Sequence, residues 1–337
     1  MSEISLTASM RSNLLSLQNT QSLMDQTQER LSTGKKVNSA IDNPSSYYTA
    51  QSLNNRASDL SALLDSMGQA IQTIQAADEG IEAITDFASQ AKAVAQSAAD
   101  STDAEERASY MEQFNNILKQ IDGIAKDSGY KGVNLLDGGT LTVKFNETGD
   151  SKLEITGKSA DTTGLELDDA ADWGLGATGK SKLDALNKAK DNLAKAQNGR
   201  VDAGGGGDYT SEELKKQDIE AKQGALDTAQ QEYDTQLEAD IKAGAAKIEE
   251  AITAVDGAIS TLRNWASEFG NNYSIVQSRE SFTENLINVL TEGADKLTLA
   301  DMNEESANML ALQTRQQLAI NSLSLASQAA QSVLQLF

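Results

Sequence analysis

Both ends of this chain are written as helical seams. Met10, Leu14, Leu17, Gln21, Met24, Gln28 and Leu31 recur at alternating four- and three-residue steps, and so do Met309, Leu312, Gln316, Ala319, Leu323, Ala326, Ala330, Val333 and Phe337. Side chains spaced in this way return to one face of a helix that lies along another helix. Termini of ordinary domains fray, because little ties them down; these are built to be covered. Leu318 and Leu325 stand off the seam that runs through Leu323, so a single partner helix cannot cover the last segment. The residues assigned to an assembly interface are therefore Met10, Leu14, Leu17, Met24, Leu31, Met309, Leu312, Leu318, Leu323, Leu325, Val333 and Phe337, with neighbours supplied by other copies.

Composition narrows the remaining possibilities. Only 4% of the 337 residues are aromatic and only one is proline, which favours long helices joined by many small aliphatic contacts. Cysteine and histidine are both absent. That rules out disulfides, thiolate chemistry, Ser-His-Asp catalysis and most zinc sites. No catalytic, cofactor-binding or metal-binding residue is assigned, no cofactor is expected, and the chain reads as a non-enzyme. The net charge of −22 argues against nucleic acid and anionic membranes, which require a basic face.

The charge is unevenly placed. Residues 1–57 hold five Lys/Arg and four Asp/Glu, and residues 306–337 hold only Arg315, so each end is net +1 and the middle is −24. Neutral ends suit tight packing against identical ends. The opening MSEISLTASM lacks the basic and apolar regions of a Sec leader. No apolar run approaches the ~18 residues of a membrane span, so membrane insertion is not expected and any export would use another route.

Along the chain, a helix over 10–33 ends at Gly34, and a turn-rich connector follows to Pro44, which biases Asn43 away from helical geometry. A second helix runs 45–100 on Leu53, Leu60, Leu63, Leu64, Ile71, Ile74, Ile81 and Ile84. Ser101-Thr-Asp breaks it with good cap residues, and a third helix points Met111, Phe114, Ile117, Leu118 and Ile121 inward. Alternation at Leu141, Val143 and Phe145, then at Leu153 and Ile155, predicts a β-hairpin around NETGDS. Helical pattern returns near Ser181. Gly204 to Gly207 let two arms fold back as a helical hairpin, another long helix covers 240–292, and a terminal helix starts near Leu299. The expected fold is mainly α: an elongated rod of long antiparallel helices with a small β-hairpin, the terminal helices pairing as a coiled coil. Its parts are a coiled-coil segment at 1–40, an inner rod domain at 45–180 holding hairpin 141–157, a helical insert at 181–240, the returning rod at 241–295 and a second coiled-coil segment at 299–337.

Three local patterns compete with this structural reading. Gly174 to Ser181 reads GLGATGKS, a literal P-loop string. A P-loop follows a buried apolar strand, however, and here LDDAADW precedes it, so a linker with a chance match is the better reading. Asp168, Asp169 and Asp172 lack the alternating ligands and closing glutamate of a calcium loop, and a solvated face accounts for them. Asn146-Glu-Thr and Asn272-Tyr-Ser fit the glycosylation triplet, which is common by chance.

The segments ERLSTGKKVNSAIDNPSSYYTAQSL (29–53), QAADEGIEAI (75–84), GYKGVNLLDG (129–138) and ADMNEESANMLALQTRQQLAINSLSLASQAAQSVLQLF (300–337) together resemble bacterial flagellin, the filament subunit of the flagellum, in a short form without large outer domains. The resemblance covers about 1–140 and 250–337. It implies terminal helices that pair in the filament core, self-assembly into a helical homopolymer and swimming motility. It also implies an extracellular location reached unfolded through the flagellar type III export apparatus. Implied partners are the chain itself, a flagellar export chaperone covering the C-terminal helix, and hook-associated and cap proteins. The sequence departs from the family at Ser89 and Ala93, where members detected by the animal flagellin receptor resemble one another in carrying arginine and leucine; this counts against such detection. A hook–filament junction protein shares such ends and is the nearest rival. A P-loop nucleotide-binding protein and a secreted coiled-coil adhesin are more distant ones.

Overall fold

A computed structural model describes residues 8–200, 208 and 211–334. Among them the element order is α1 (Ala8–Thr33), α2 (Pro44–Asp100), α3 (Ala104–Asp127), β1 (Thr140–Lys144), β2 (Lys152–Thr156), α4 (Ala177–Asn198), α5 (Glu212–Thr298) and α6 (Met302–Leu334). The fold is mainly α, with one two-stranded antiparallel sheet. α2 begins on the proline, at the helical position that has no use for an N–H, and the side chain of Asn43 accepts from the Ser46 N–H at 3.1 Å. Asp103 caps α3 by accepting from Glu105 N at 2.7 Å and Glu106 N at 3.3 Å. The expected separate helices either side of residue 240 are instead one helix, α5, of 87 residues; nothing near Asp240 removes an N–H or forces a turn.

The chain divides into two compact units. One holds residues 66–144 and 150–279. Its core is a set of seven-residue repeats. Ile248, Val255, Leu262, Phe269 and Val276 of α5 are fully buried at seven-residue steps, and so are Ile84, Ala91 and Ala98 of α2. In the hairpin, Leu141 pairs with Ile155 and Val143 with Leu153, with Val143 and Ile155 buried. Trp173 is buried with its ring centroid 5.0 Å from that of Phe114. The segment before α4 is pinned to α3: Asn115 Nδ2 donates to Ala170 O at 2.9 Å while its Oδ1 accepts from Ala170 N at 2.7 Å. Buried Arg107 donates to Ser101 O and Ile241 O, both at 2.8 Å, tying the α2–α3 turn to α5.

The other unit holds residues 1–65, 145–149 and 280–337. Ala57, Leu60 and Leu290 form a small core with Leu53, Leu63, Leu286 and Ile287 packed on it. α1 ends at Gly34, whose φ of 71° closes the helix as only glycine does freely. The chain then zips against the junction of α5 and α6: Lys36 N donates to Thr298 O at 2.7 Å and Ala300 N to Gly34 O at 2.9 Å. Asp42 orders the rest of the connector by accepting from Ser39 N at 2.8 Å and Asn38 N at 3.0 Å. Those backbone donors hold its carboxyl below the ordinary aspartate value.

Candidate assembly surface

α1 and α6 pack against each other and run antiparallel. Gln316 Nε2 donates to Gln21 Oε1 at 2.8 Å, and nine residues further along α1 the Arg30 guanidinium meets Glu305 at 2.9 Å. The α1 residues turned inward are Met10, Asn13, Leu17, Thr20, Met24, Thr27 and Leu31; on α6 they are Glu305, Met309, Leu312, Gln316, Ala319, Leu323 and Ala326. Both sets step by threes and fours, as a heptad seam requires. Of the residues assigned from sequence, Met10 is buried, and Leu17, Met24, Leu31, Met309, Leu312 and Leu323 are half-buried here. Leu14, Leu318 and Leu325 face outward, at 38%, 63% and 67% exposure. The side chains of Val333 and Phe337 lie outside the described residues.

The α1 seam differs from the sequence reading at Leu14 and Gln28, which point out, while Asn13, Thr20 and Thr27 point in and Gln21 stays half-buried against Gln316. Thr20 and Thr27 are buried, and Thr20 Oγ1 meets its own polar need by donating to Ser16 O at 2.8 Å. Both registers satisfy the step rule, and within the single chain α6 covers the one that carries Asn13, Thr20 and Thr27. The seven-residue recurrence of Asn13, Thr20 and Thr27 beside Met10, Leu17, Met24 and Leu31 was the available signal. Arg30 and Glu305 were also missed. Glu305 is buried, and its Oε2 has no hydrogen-bond partner among the described residues.

What this seam leaves uncovered is as informative as what it buries. Besides Leu14, Leu318 and Leu325, the pair exposes Leu15, Leu23, Leu310 and Ile320. Apolar rows therefore remain on the outer faces of both helices. No helix of the described residues is long and apolar enough to cross a membrane.

The P-loop string folds differently from a phosphate cradle. The N-terminus of α4 is already filled by a carboxylate from α5. Gly176 N donates to Asp240 Oδ2 at 3.0 Å, and Gln236 Nε2 donates to Asp240 Oδ1 at 2.8 Å. Gly179 lets that carboxylate in: a Cβ there would come within 2.1 Å of Asp240 Oδ2. Lys180 is exposed and an irregular segment precedes the helix where a P-loop needs a strand. Asp172 of the acidic cluster pairs with Lys247 at 3.0 Å. Ser89 and Ala93 are exposed on α2.

A mainly helical chain with paired terminal helices, apolar rows open on their outer faces and an anion site filled by its own aspartate belongs to the class of structural, self-packing subunits. The family comparisons make the class specific. Residues 4–140 match the bacterial flagellin N-terminal helical region and residues 252–337 match the bacterial flagellin C-terminal helical region. Flagellin C of Rhizobium meliloti (strain 1021) is 27% identical over 323 residues, covering 93% of this chain and 92% of that protein. A flagellin of Brucella melitensis is 26% identical over 343 residues, covering 100% and 99%, and flagellin FljM of Caulobacter vibrioides is 25% identical, covering 96% and 95%. The chain belongs to the bacterial flagellins. It is a structural subunit that self-polymerises into the flagellar filament, and not an enzyme.

Proposed function

We propose that the α1/α6 pair is the polymerising surface of this filament subunit, and that its outward leucines are completed only by the same pairs on neighbouring copies. The observation that carries this reading is the exposure of Leu318 and Leu325 at 63% and 67% on a helix whose seam is already occupied by α1. Fully burying one leucine stabilises by ~1.5–3 kcal/mol, so two per subunit, repeated along a lattice, are enough to drive association. Met10, Leu14, Leu17, Met24, Leu31, Met309, Leu312, Leu323, Val333 and Phe337 complete the interface, the inward ones by fixing how α1 and α6 present their outer faces. Before assembly the same apolar rows invite aggregation, which gives an export chaperone on the C-terminal helix a physical task. Passage through the flagellar export apparatus and contact with hook-associated and cap proteins complete the proposed path to the cell exterior.

The test is Leu318→Asp combined with Leu325→Asp. Both positions face solvent in the single chain, so the helical circular-dichroism signal of the monomer should stay at the wild-type level, while elongation from sheared filament seeds should stop. Filaments of wild-type length and number by electron microscopy would overturn the assignment.

A further inference from the structure

The hairpin made by α4 and the first part of α5 presents two unlike faces. α4 holds five lysines against two aspartates, whereas residues 212–240 of α5 hold nine acids against three lysines. The two helices run antiparallel. Lys182 Nζ meets Glu232 at 2.6 Å and Gly176 N donates to Asp240 at 3.0 Å, so Lys188 lies level with Asp227 and Lys195 with Glu220. Leu186 and Leu193 are buried on the inner side of α4. On its outer side Lys180, Asp184, Lys188, Asp191 and Lys195 follow one another at three- and four-residue steps, and all are exposed. A second row at the same steps, Glu220, Gly224, Asp227, Gln231 and Asp234, runs along the exposed face of α5. Charge alternates in sign along the first row, and acids alternate with neutral residues along the second. None of these charges has an ion-pair partner among the described residues. Asp227 and Asp234 accept from Gln223 and Gln230 at 2.9 and 2.7 Å, which holds each carboxylate in place with its charge uncompensated.

We propose that the lysine row of α4 docks on the acidic row of α5 in a neighbouring copy, tying the inserts of the polymer to one another away from the terminal helices. The proposal rests on the filament reading above and gives the insert its partner. With two hairpins side by side and parallel, α4 of one runs antiparallel to α5 of the next, as it does to its own. Lys180, Lys188 and Lys195 then stand opposite Asp234, Asp227 and Glu220, while Asp184 and Asp191 stand opposite Gln231 and Gly224. Every lysine meets an acid, and neither aspartate does. Two α5 rows brought together would set acid against acid, which is unfavourable. Both rows repeat every seven residues, about 10 Å along a helix. A copy displaced by one repeat therefore keeps the match, with Gln217 and Glu213 continuing the acidic row. The contact adds lateral attraction without dictating the displacement between copies. Exposed pairs are individually weak, but these recur in every subunit. A contact between unlike faces also leaves each copy with one free face for the next, so it propagates instead of closing on itself.

The sequence has no cysteine, so single introduced thiols report contacts cleanly. Full-length Lys188→Cys is grown on sheared wild-type seeds with an equal amount of Asp227→Cys, Glu220→Cys or Asp234→Cys, and the filaments are treated with bismaleimidoethane. At least one of the three mixtures should give a cross-linked dimer on a denaturing gel, and which one does identifies the displacement. Either variant alone, and the same mixture left unassembled, should give on the order of tenfold less. Adding Lys180→Glu and Lys195→Glu to the Lys188→Cys chain should cut the dimer about tenfold at low salt, with the deficit narrowing as salt screens the contact. No dimer from any mixture would overturn the docking, as would equal dimer from one variant alone or from unassembled chain, or a yield unmoved by the charge reversal. In each of those cases filaments that still grow on the seeds leave the filament reading intact. Failure of the wild-type chain itself to elongate would remove both.

Discussion

Arg30→Met is the most exacting test of the α1/α6 seam. The substitution keeps the length and apolar stem of residue 30 and deletes its charge. Glu305, whose side chain is 8% exposed, then keeps a carboxylate in a seam of Leu31, Leu312 and Met309 with both oxygens unpaired. Breaking a buried ion pair from one side costs about 3–5 kcal/mol. Here the Arg30 side chain is 30% exposed, so water can reach the orphaned carboxylate, and about 2–3 kcal/mol is the better expectation. At about 1.4 kcal/mol per factor of ten, that is roughly a 30- to 100-fold rise in opening. The readout is amide hydrogen exchange of residues 17–31 and 305–323 in the monomer, measured where exchange reports the opening equilibrium. Arg30→Met with Glu305→Met removes the buried charge as well, and the exchange rates should return to within a few fold of wild type. The seam then loses its charged register mark, so a second α1/α6 alignment should become detectable. Two substitutions whose effects simply add, with the double variant opening at least as readily as the single, would refute the argument that the buried pair governs the seam.

Other outcomes follow from single positions. Gly244→Ala places a Cβ 2.3 Å from Trp173 O; forcing that loop outward costs ~1–3 kcal/mol against a helix-propensity gain of ~1, so urea unfolding followed by tryptophan fluorescence should show no gain or a net loss. Gly224→Ala meets nothing within 4 Å and should stabilise instead. Asp161 accepts from Gly164 N at 2.9 Å and from Ser159 Oγ, which lowers its pKa from the ordinary 3.8. Its contribution is therefore complete above that value and lost as pH falls below it, so Asp161→Asn should lower the thermal midpoint at neutral pH, leave it little changed in strong acid and flatten the acid limb of the profile. Asp240→Asn should loosen the N-terminal turn of α4 by about 1 kcal/mol, with no ATP-dependent shift in melting temperature before or after the change; such a shift, abolished by Lys180→Ala, would revive the nucleotide reading.

Much of the secondary structure was legible because each signal was local. Pro44 sits at a helix start, Asp103 is an N-cap, Gly34 is a C-cap and the alternation at Leu141–Val143 is a strand, each fixed by its own few residues. Less legible features depend on a partner. Whether α1 turns Leu14 or Asn13 inward is decided by what α6 offers at that level, and both choices obey the same spacing. The unbroken course of α5 past Asp240 was hidden because a boundary there was read from a change in leucine spacing alone, whereas no residue near it removes an N–H or forces a turn. Asp240 as the occupant of the α4 N-terminus could not be read from spacing at all, since 64 residues separate it from Gly176.

The distribution of apolar exposure links these details to assembly. Of the fifteen large hydrophobic side chains exposed among the described residues, only Leu214 and Ile275 belong to the unit of residues 66–144 and 150–279. The other thirteen, including Ile41 at 94%, fall in the unit that carries both chain ends. That contrast is not a matter of size, since the second unit is the smaller by residue count. A monomer gains nothing from keeping so many leucines in water, and scattered single residues would need no explanation. Eight of the thirteen lie on α1 and α6, the helices that also hold the partly buried polar pairs Gln21–Gln316 and Arg30–Glu305, and there they divide the work. The buried polar pairs cost stability but permit few alignments of α1 on α6. The outer leucines then supply non-directional attraction to whatever copy approaches, and the geometry fixed inside decides which approach repeats.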